Sequence, residues 1–112
     1  MKALVYTGVE ELVYREEKDP VETSGESILK VHASGICGSD MHAYHGKDER
    51  RIAPLIIGHE VSGVIQNGKF QGKNAVLNPL ITCGKCEYCT SGREHLCPHR
   101  VLLGMNKPYE RQ

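Results

Sequence analysis

Apolar residues in this chain come in short runs separated by turn-forming residues, the pattern of a series of brief strands. Residues 2–6 and 11–15 read as paired strands, with Gly8-Val9-Glu10 as the hairpin turn between them. Residues 16–25 are polar, are broken by Pro20 and Gly25, and read as a loop. Residues 27–33 alternate Leu29, Val31 and Ala33 against Ile28, Lys30 and His32, which predicts a strand. A short helix is predicted over 38–45, with Ser39-Asp40 at its start. The charges of 47–51 read as a solvated loop. Residues 52–57 are apolar but interrupted by Pro54, and 61–66 set Val61, Gly63 and Ile65 on one face. Asn67-Gly68 is a turn signal leading into a further strand over 74–80. One helical turn fits at 87–90, and 101–112 begins apolar and ends polar. These elements make a mainly β domain of five or six short strands and one or two short helices.

Composition narrows this picture. The 112 residues suit one domain, and one Phe, no Trp and 39% hydrophobic residues make its core lean. A structural metal offsets such a deficit, since these sites contribute about 10–16 kcal/mol of apparent binding energy in small peptides. Lys plus Arg and Asp plus Glu are 14 each, and the zero net charge argues against a nucleic-acid or anionic-membrane surface. The start, with Lys2 and a very short apolar run, is neither a signal peptide nor a membrane span. The cysteines are therefore expected as reduced thiols in a cytoplasmic setting.

Four of the five cysteines, Cys83, Cys86, Cys89 and Cys97, fall inside a lobe spanning 82–98. Two-residue spacers let consecutive thiolates curl round one Zn²⁺ at about 2.3 Å, and the longer spacer lets Cys97 close the tetrahedron. A closed four-thiolate shell leaves no position for substrate, so this site is expected to be structural. The alternatives are disulfides, which strain easily in so tight a run, or free thiols. Lys85, Arg93 and Arg100 stand close enough in sequence to offset part of the shell's charge, or are ordinary surface residues.

The fifth cysteine, Cys37, precedes Gly38-Ser39-Asp40-Met41-His42, and Gly58-His59-Glu60 follows later. One thiolate, one imidazole and one carboxylate make a mixed set that leaves a fourth zinc position open, as catalytic sites do. Taken singly, Cys37 reads more readily as a small buried hydrophobe and His59 as a core or surface residue. Consecutive strand residues point to opposite faces, so His59 and Glu60 reach one ion only if Gly58 permits a kink; otherwise Glu60 stands behind the metal.

Cys37-Gly38-Ser39-Asp40-x-His42, then Gly58-His59-Glu60-Val61-Ser62-Gly63, then the four-cysteine lobe, in that order, resemble the zinc-dependent medium-chain alcohol dehydrogenases. Their sorbitol, polyol and butanediol dehydrogenase-like members are the most similar. Asn78-Pro79-Leu80 before the lobe and Leu103-Gly104-Met105-Asn106 after it add to the likeness. The resemblance implies a GroES-like, partly open β-barrel carrying the zinc lobe, truncated to roughly the first third of a family member. It implies Cys37 and His59 as catalytic-zinc ligands, with Glu60 as the third ligand in the sorbitol-type pattern and a neighbour in the other. It implies Ser39 as acceptor of the substrate hydroxyl proton, His42 as its route to solvent, and Asp40 as the group orienting His59. On the residues alone, Ser39 reads as a helix cap and His42 as a surface histidine.

The chain departs from the family in a shortened 64–72 stretch and in having no Gly-x-Gly-x-x-Gly, so no cofactor-binding residue and no Rossmann domain is expected within it. The expected function is that of the N-terminal zinc-binding catalytic domain of an NAD- or NADP-dependent alcohol or polyol dehydrogenase, inactive in isolation. The alternative is a stand-alone, non-enzymatic, zinc-stabilised interaction module. The expected partner is a small-molecule alcohol or polyol, not nucleic acid or membrane, with self-association through the face that truncation leaves open.

Overall fold

The computed structural model describes residues 1–106. Strand β1 (Lys2–Gly8) pairs antiparallel with β2 (Glu11–Glu16), as the two runs and the turn between them predict. The left-handed turn residue is Glu10, at φ 58°, rather than the nearby glycine. Its N–H donates to the Tyr44 carbonyl at 2.7 Å, which fastens the hairpin to the end of α1 (Gly38–Tyr44). The other edge of β1 pairs with β4 (Leu55–Ile56), the short remainder of the apolar run containing Pro54. Ala3, Val5 and Tyr6 of β1 are buried, together with Ala43 of α1 and Leu55 of β4. This small group is the core that the lean composition allows.

The second sheet has the order β3-β5-β6, from β3 (Leu29–Gly35), β5 (Glu60–Ile65) and β6 (Asn74–Val76). Here β3 starts two residues later than its alternation predicts, because the Ile28 N–H donates to Asn67 Oδ1 at 2.6 Å instead of to a strand. A register shift between Val31 and Ala33 breaks the alternation further, and nearly all of β3 is exposed. Val31, Ile36 and Val76 consequently leave apolar surface uncovered. Asn67-Gly68 opens a longer connection rather than a two-residue turn, with Gly68 and Gly72 both at positive φ.

The predicted strand over 74–80 is two strands in different sheets. Asn78 Oδ1 accepts the Leu80 N–H at 3.1 Å, an Asx turn, and Pro79 has no N–H to donate to a ladder. The chain therefore leaves β6 and restarts as β7 (Leu80–Ile81), which pairs with β8 (Val101–Leu102). Between β7 and β8 lies the cysteine lobe, with α2 (Glu87–Thr90), as predicted, and a 3₁₀ turn at Glu94–Leu96. Among the described residues the strands form three separate sheets, so the expected mainly β architecture is present and no barrel closes. Among the described residues no helix is long and apolar enough to cross a membrane.

Candidate metal centres

The lobe brings its four sulfurs together without a hydrophobic core of its own. Gly84, at φ 69°, turns the chain after Cys83. Cys86 caps α2, Cys89 lies within it, and Cys97 follows the 3₁₀ turn with no exposure to solvent. The Sγ separations are 3.9 Å for Cys83–Cys89, 3.5 Å for Cys86–Cys89 and 3.7 Å for Cys83–Cys97. A zinc tetrahedron with bonds of about 2.3 Å requires about 3.8 Å between sulfurs, whereas a disulfide requires about 2.0 Å. All four are free thiols, and their geometry fits the cation.

Their proton affinities diverge. Backbone N–H groups of Lys85 and Cys86 lower Cys83 to about 6, while desolvation raises Cys89 to about 11. A cation is what makes four simultaneous thiolates favourable here. Of the basic residues near the lobe in sequence, Arg100 Nη1 donates to the Cys97 carbonyl at 3.0 Å, and Arg93 stacks on the Tyr88 ring at 5.2 Å.

The second group is built from two elements. Cys37 is the N-cap of α1, and His59 and Glu60 stand where the chain enters β5. Gly58 has φ 116°, so His59 is presented from a bend before the strand and Glu60 from its first residue. This bend removes the difficulty of two consecutive strand residues facing one point. Gly35 makes room for Glu60, since a Cβ there would lie 2.6 Å from Glu60 Oε2. Ligand-capable atoms of Cys37, His59 and Glu60 lie within 4.8 Å of one another. A tetrahedral ion bonded at about 2.0–2.3 Å needs its ligand atoms about 3.3–3.8 Å apart, so the group closes round a metal by drawing in by up to about 1 Å. The buried His59 Nδ1 has no hydrogen-bond partner; Asp40 Oδ1 faces it at 3.4 Å. An imidazole so placed has Nε2 left for a metal.

Asp40 itself is buried in the third position of α1. Its Oδ2 accepts the Cys37 N–H at 3.0 Å, the returning half of a capping box. Ser39 lies inside the helix, so Cys37 and not Ser39 caps it. The half-buried Ser39 Oγ accepts from Arg51 Nη2 at 3.2 Å. His42 is exposed, one turn further along α1. His32, His45, His95 and His99 are all exposed, and none of them joins either cysteine group.

The solvated reading of residues 47–51 holds for Lys47, Glu49 and Arg50 and fails for Arg51, whose side chain has 0% exposure. No local signal separates Arg51 from Arg50. What draws it inward is a set of acceptors remote in sequence: Asp40 Oδ1 at 3.3 Å, Ser39 Oγ at 3.2 Å and the Gly104 carbonyl at 2.7 Å.

Asp48 backs this arrangement. Arg50 grips both of its oxygens, at 2.8 and 2.9 Å, and Arg51 Nε stands 3.4 Å away. Hydrogen bonds from Arg50, with the nearby Arg51 charge, hold the Asp48 carboxyl down at about 2, against an ordinary 3.8. A depressed folded pKa gives stability that is present above the ordinary value and lost as pH falls through the folded one. The stability advantage of the native chain over Asp48→Asn is therefore expected to be constant at neutral pH and to shrink between about pH 4 and 2. Urea unfolding across that window checks it, and a difference that stays flat would count against the carboxylate's role.

Residues 23–109 match the alcohol dehydrogenase GroES-like domain. The 2-dehydro-3-deoxy-L-galactonate 5-dehydrogenase of Pseudoalteromonas atlantica is 40% identical over 92 residues, which cover 76% of this chain and 27% of that protein. The sorbitol dehydrogenase of Halalkalibacterium halodurans is 39% identical, covering 93% of this chain and 33% of that protein. Among solved structures, an alcohol dehydrogenase from Escherichia coli complexed with NADH superposes with a TM-score of 0.86 at 33% identity, covering 95% of this chain and 32% of that one. The chain thus spans about a third of the length of the curated relatives it matches. On its GroES-like domain, its open β architecture and these relatives, the chain belongs to the zinc-type medium-chain alcohol dehydrogenase family.

Proposed function

We propose that this chain is the zinc-binding catalytic domain of an NAD- or NADP-dependent alcohol or polyol dehydrogenase. The observation that carries the reading is the convergence of Cys37, His59 and Glu60, with Asp40 against His59, as a group separate from the four-cysteine lobe. Cys37, His59 and Glu60 hold one zinc, and Asp40 orients the His59 ring through Nδ1. Cys83, Cys86, Cys89 and Cys97 hold a second, structural zinc. When bound at the first site, zinc supplies Lewis acidity toward a substrate hydroxyl, with a nicotinamide nucleotide as the hydride acceptor. Ser39 takes the hydroxyl proton and His42, exposed on the next turn of α1, passes it to water. The alcohol loses one hydride and one proton and leaves as a carbonyl compound. Residues 1–106 contain no glycine-rich fingerprint for a dinucleotide, so the nucleotide must be held elsewhere, and this chain by itself is expected to be inactive.

Metal analysis of the purified chain is expected to give two zinc ions, and His59→Ala one. Less than one zinc per chain would overturn the reading. In the complete gene product, Ser39→Ala is expected to lower kcat for alcohol oxidation by about 10²-fold or more. Unchanged turnover would remove Ser39 from the proton route.

A further inference from the structure

We propose that Arg51 is a positioning residue for the Cys37–His59–Glu60 site, holding Asp40 behind His59 and setting the direction of the Ser39 hydroxyl. The inference rests on the metal-site reading above. A guanidinium presents five donors in a rigid fork, and Arg51 spends them on several chain segments at once. Nη1 donates to Asp40 Oδ1 at 3.3 Å and to the Gly104 carbonyl at 2.7 Å. Nη2 donates to Ser39 Oγ at 3.2 Å, and Nε faces Asp48 Oδ2 at 3.4 Å.

The consequence for Asp40 is a carboxylate with no freedom to turn. Oδ2 is taken by the Cys37 N–H and Oδ1 lies between Arg51 and His59 Nδ1, so one carboxylate touches the mounts of two metal-ligand residues. For Ser39 the consequence is polarity. A hydroxyl has one proton and two lone pairs, and the Arg51 N–H occupies one pair. One pair is left to accept from a substrate hydroxyl, and the O–H is turned away from Arg51 to donate onward. The Gly104 contact ties the same fork to the segment that packs against Gly58, the bend that presents His59. Lysine in this place keeps the charge but cannot span these acceptors with one planar group.

The test uses this chain with zinc in the four-cysteine lobe and cobalt titrated into the second site, followed by the absorption of the cobalt–thiolate centre. Arg51→Lys is expected to weaken cobalt binding by roughly 10–100-fold and to alter its spectrum, while zinc in the lobe is unchanged. Arg51→Met is expected to do the same or more. Because either variant could act through general destabilisation, Asp40→Asn and the Arg51→Lys/Asp40→Asn double variant complete a cycle. The proposal expects the double variant to be little worse than Asp40→Asn alone. Cobalt affinity within about twofold of the native chain in Arg51→Lys, with an unchanged spectrum, would overturn it, as would additivity in the cycle. If the native chain takes up no cobalt at the second site, the metal-site reading itself falls and this inference with it.

Discussion

Replacing Cys97 with serine is expected to cost the lobe its zinc and much of its order. Cys97 is the one buried residue between β7 and β8 among the described residues, so the lobe has no apolar interior to fall back on. Among the described residues, two short strands, paired at Leu80–Leu102 and Ile81–Val101, are its sheet attachment. If four ligands share an apparent binding energy of about 10–16 kcal/mol evenly, each carries about 3–4 kcal/mol. Losing one then weakens zinc by roughly 10²–10³-fold. The divergent thiols act in the same direction, since desolvation pushes Cys89 up to about 11, well above neutral pH, and a cation offsets that. Chelator competition and thermal melting measure the effect. Cys37→Ser is the control, expected to leave the lobe's zinc in place. A Cys97→Ser chain that kept its lobe zinc and its melting temperature would refute the structural role.

The second large effect is expected at Gly104. Its φ of 67° is in the left-handed region, and a Cβ there would lie 1.8 Å from the Gly58 carbonyl oxygen and 2.6 Å from its carbon. The obstacle is backbone, not a side chain that can swing aside. Gly58 cannot yield easily either, since its own φ of 116° sets the bend before His59. Gly104→Ala is therefore expected to destabilise the chain by about 3 kcal/mol and to loosen the Cys37–His59–Glu60 group through both Gly58 and the Arg51 contact. Gly72→Ala isolates the clash: its φ is 81° but nothing lies within 4 Å of the added carbon. That variant should cost only the left-handed strain, about 1–2 kcal/mol. Equal unfolding free energies for the two variants in denaturant titrations would refute the packing argument.

The elements most legible in the sequence are those written in short-range spacing. Lys2–Gly8 and Glu11–Glu16 pair as the turn signal between them predicts, α2 falls at Glu87–Thr90, and the four lobe cysteines converge as their two-residue spacers imply. Other readings failed where a distant partner overruled a local preference. Ile28 left its expected strand because Asn67 captured its N–H across the sheet. The expected strand over 74–80 broke at Asn78-Pro79, where a side-chain turn and a missing donor outweighed the apolar residues on either side. The alternation of Leu29, Val31 and Ala33 predicts a buried face that β3 does not have, since among the described residues nothing covers it.

The candidate site divides along the same line. Cysteine spacing, net neutrality and the order of the Cys37, His59 and lobe motifs depend on composition and adjacency, and those the sequence by itself determines. The meeting of Glu60 with Cys37 and His59 needed the bend at Gly58 and the space over Gly35, which only the packed chain supplies. Arg51 is the clearest case. Its neighbour Arg50 has the same side chain and stays at the surface, and what separates them is which one faces Ser39, Asp40 and the Gly104 carbonyl. Burying a charge is tolerated only where acceptors have already been gathered from elsewhere in the chain, so its place was decided by the tertiary structure.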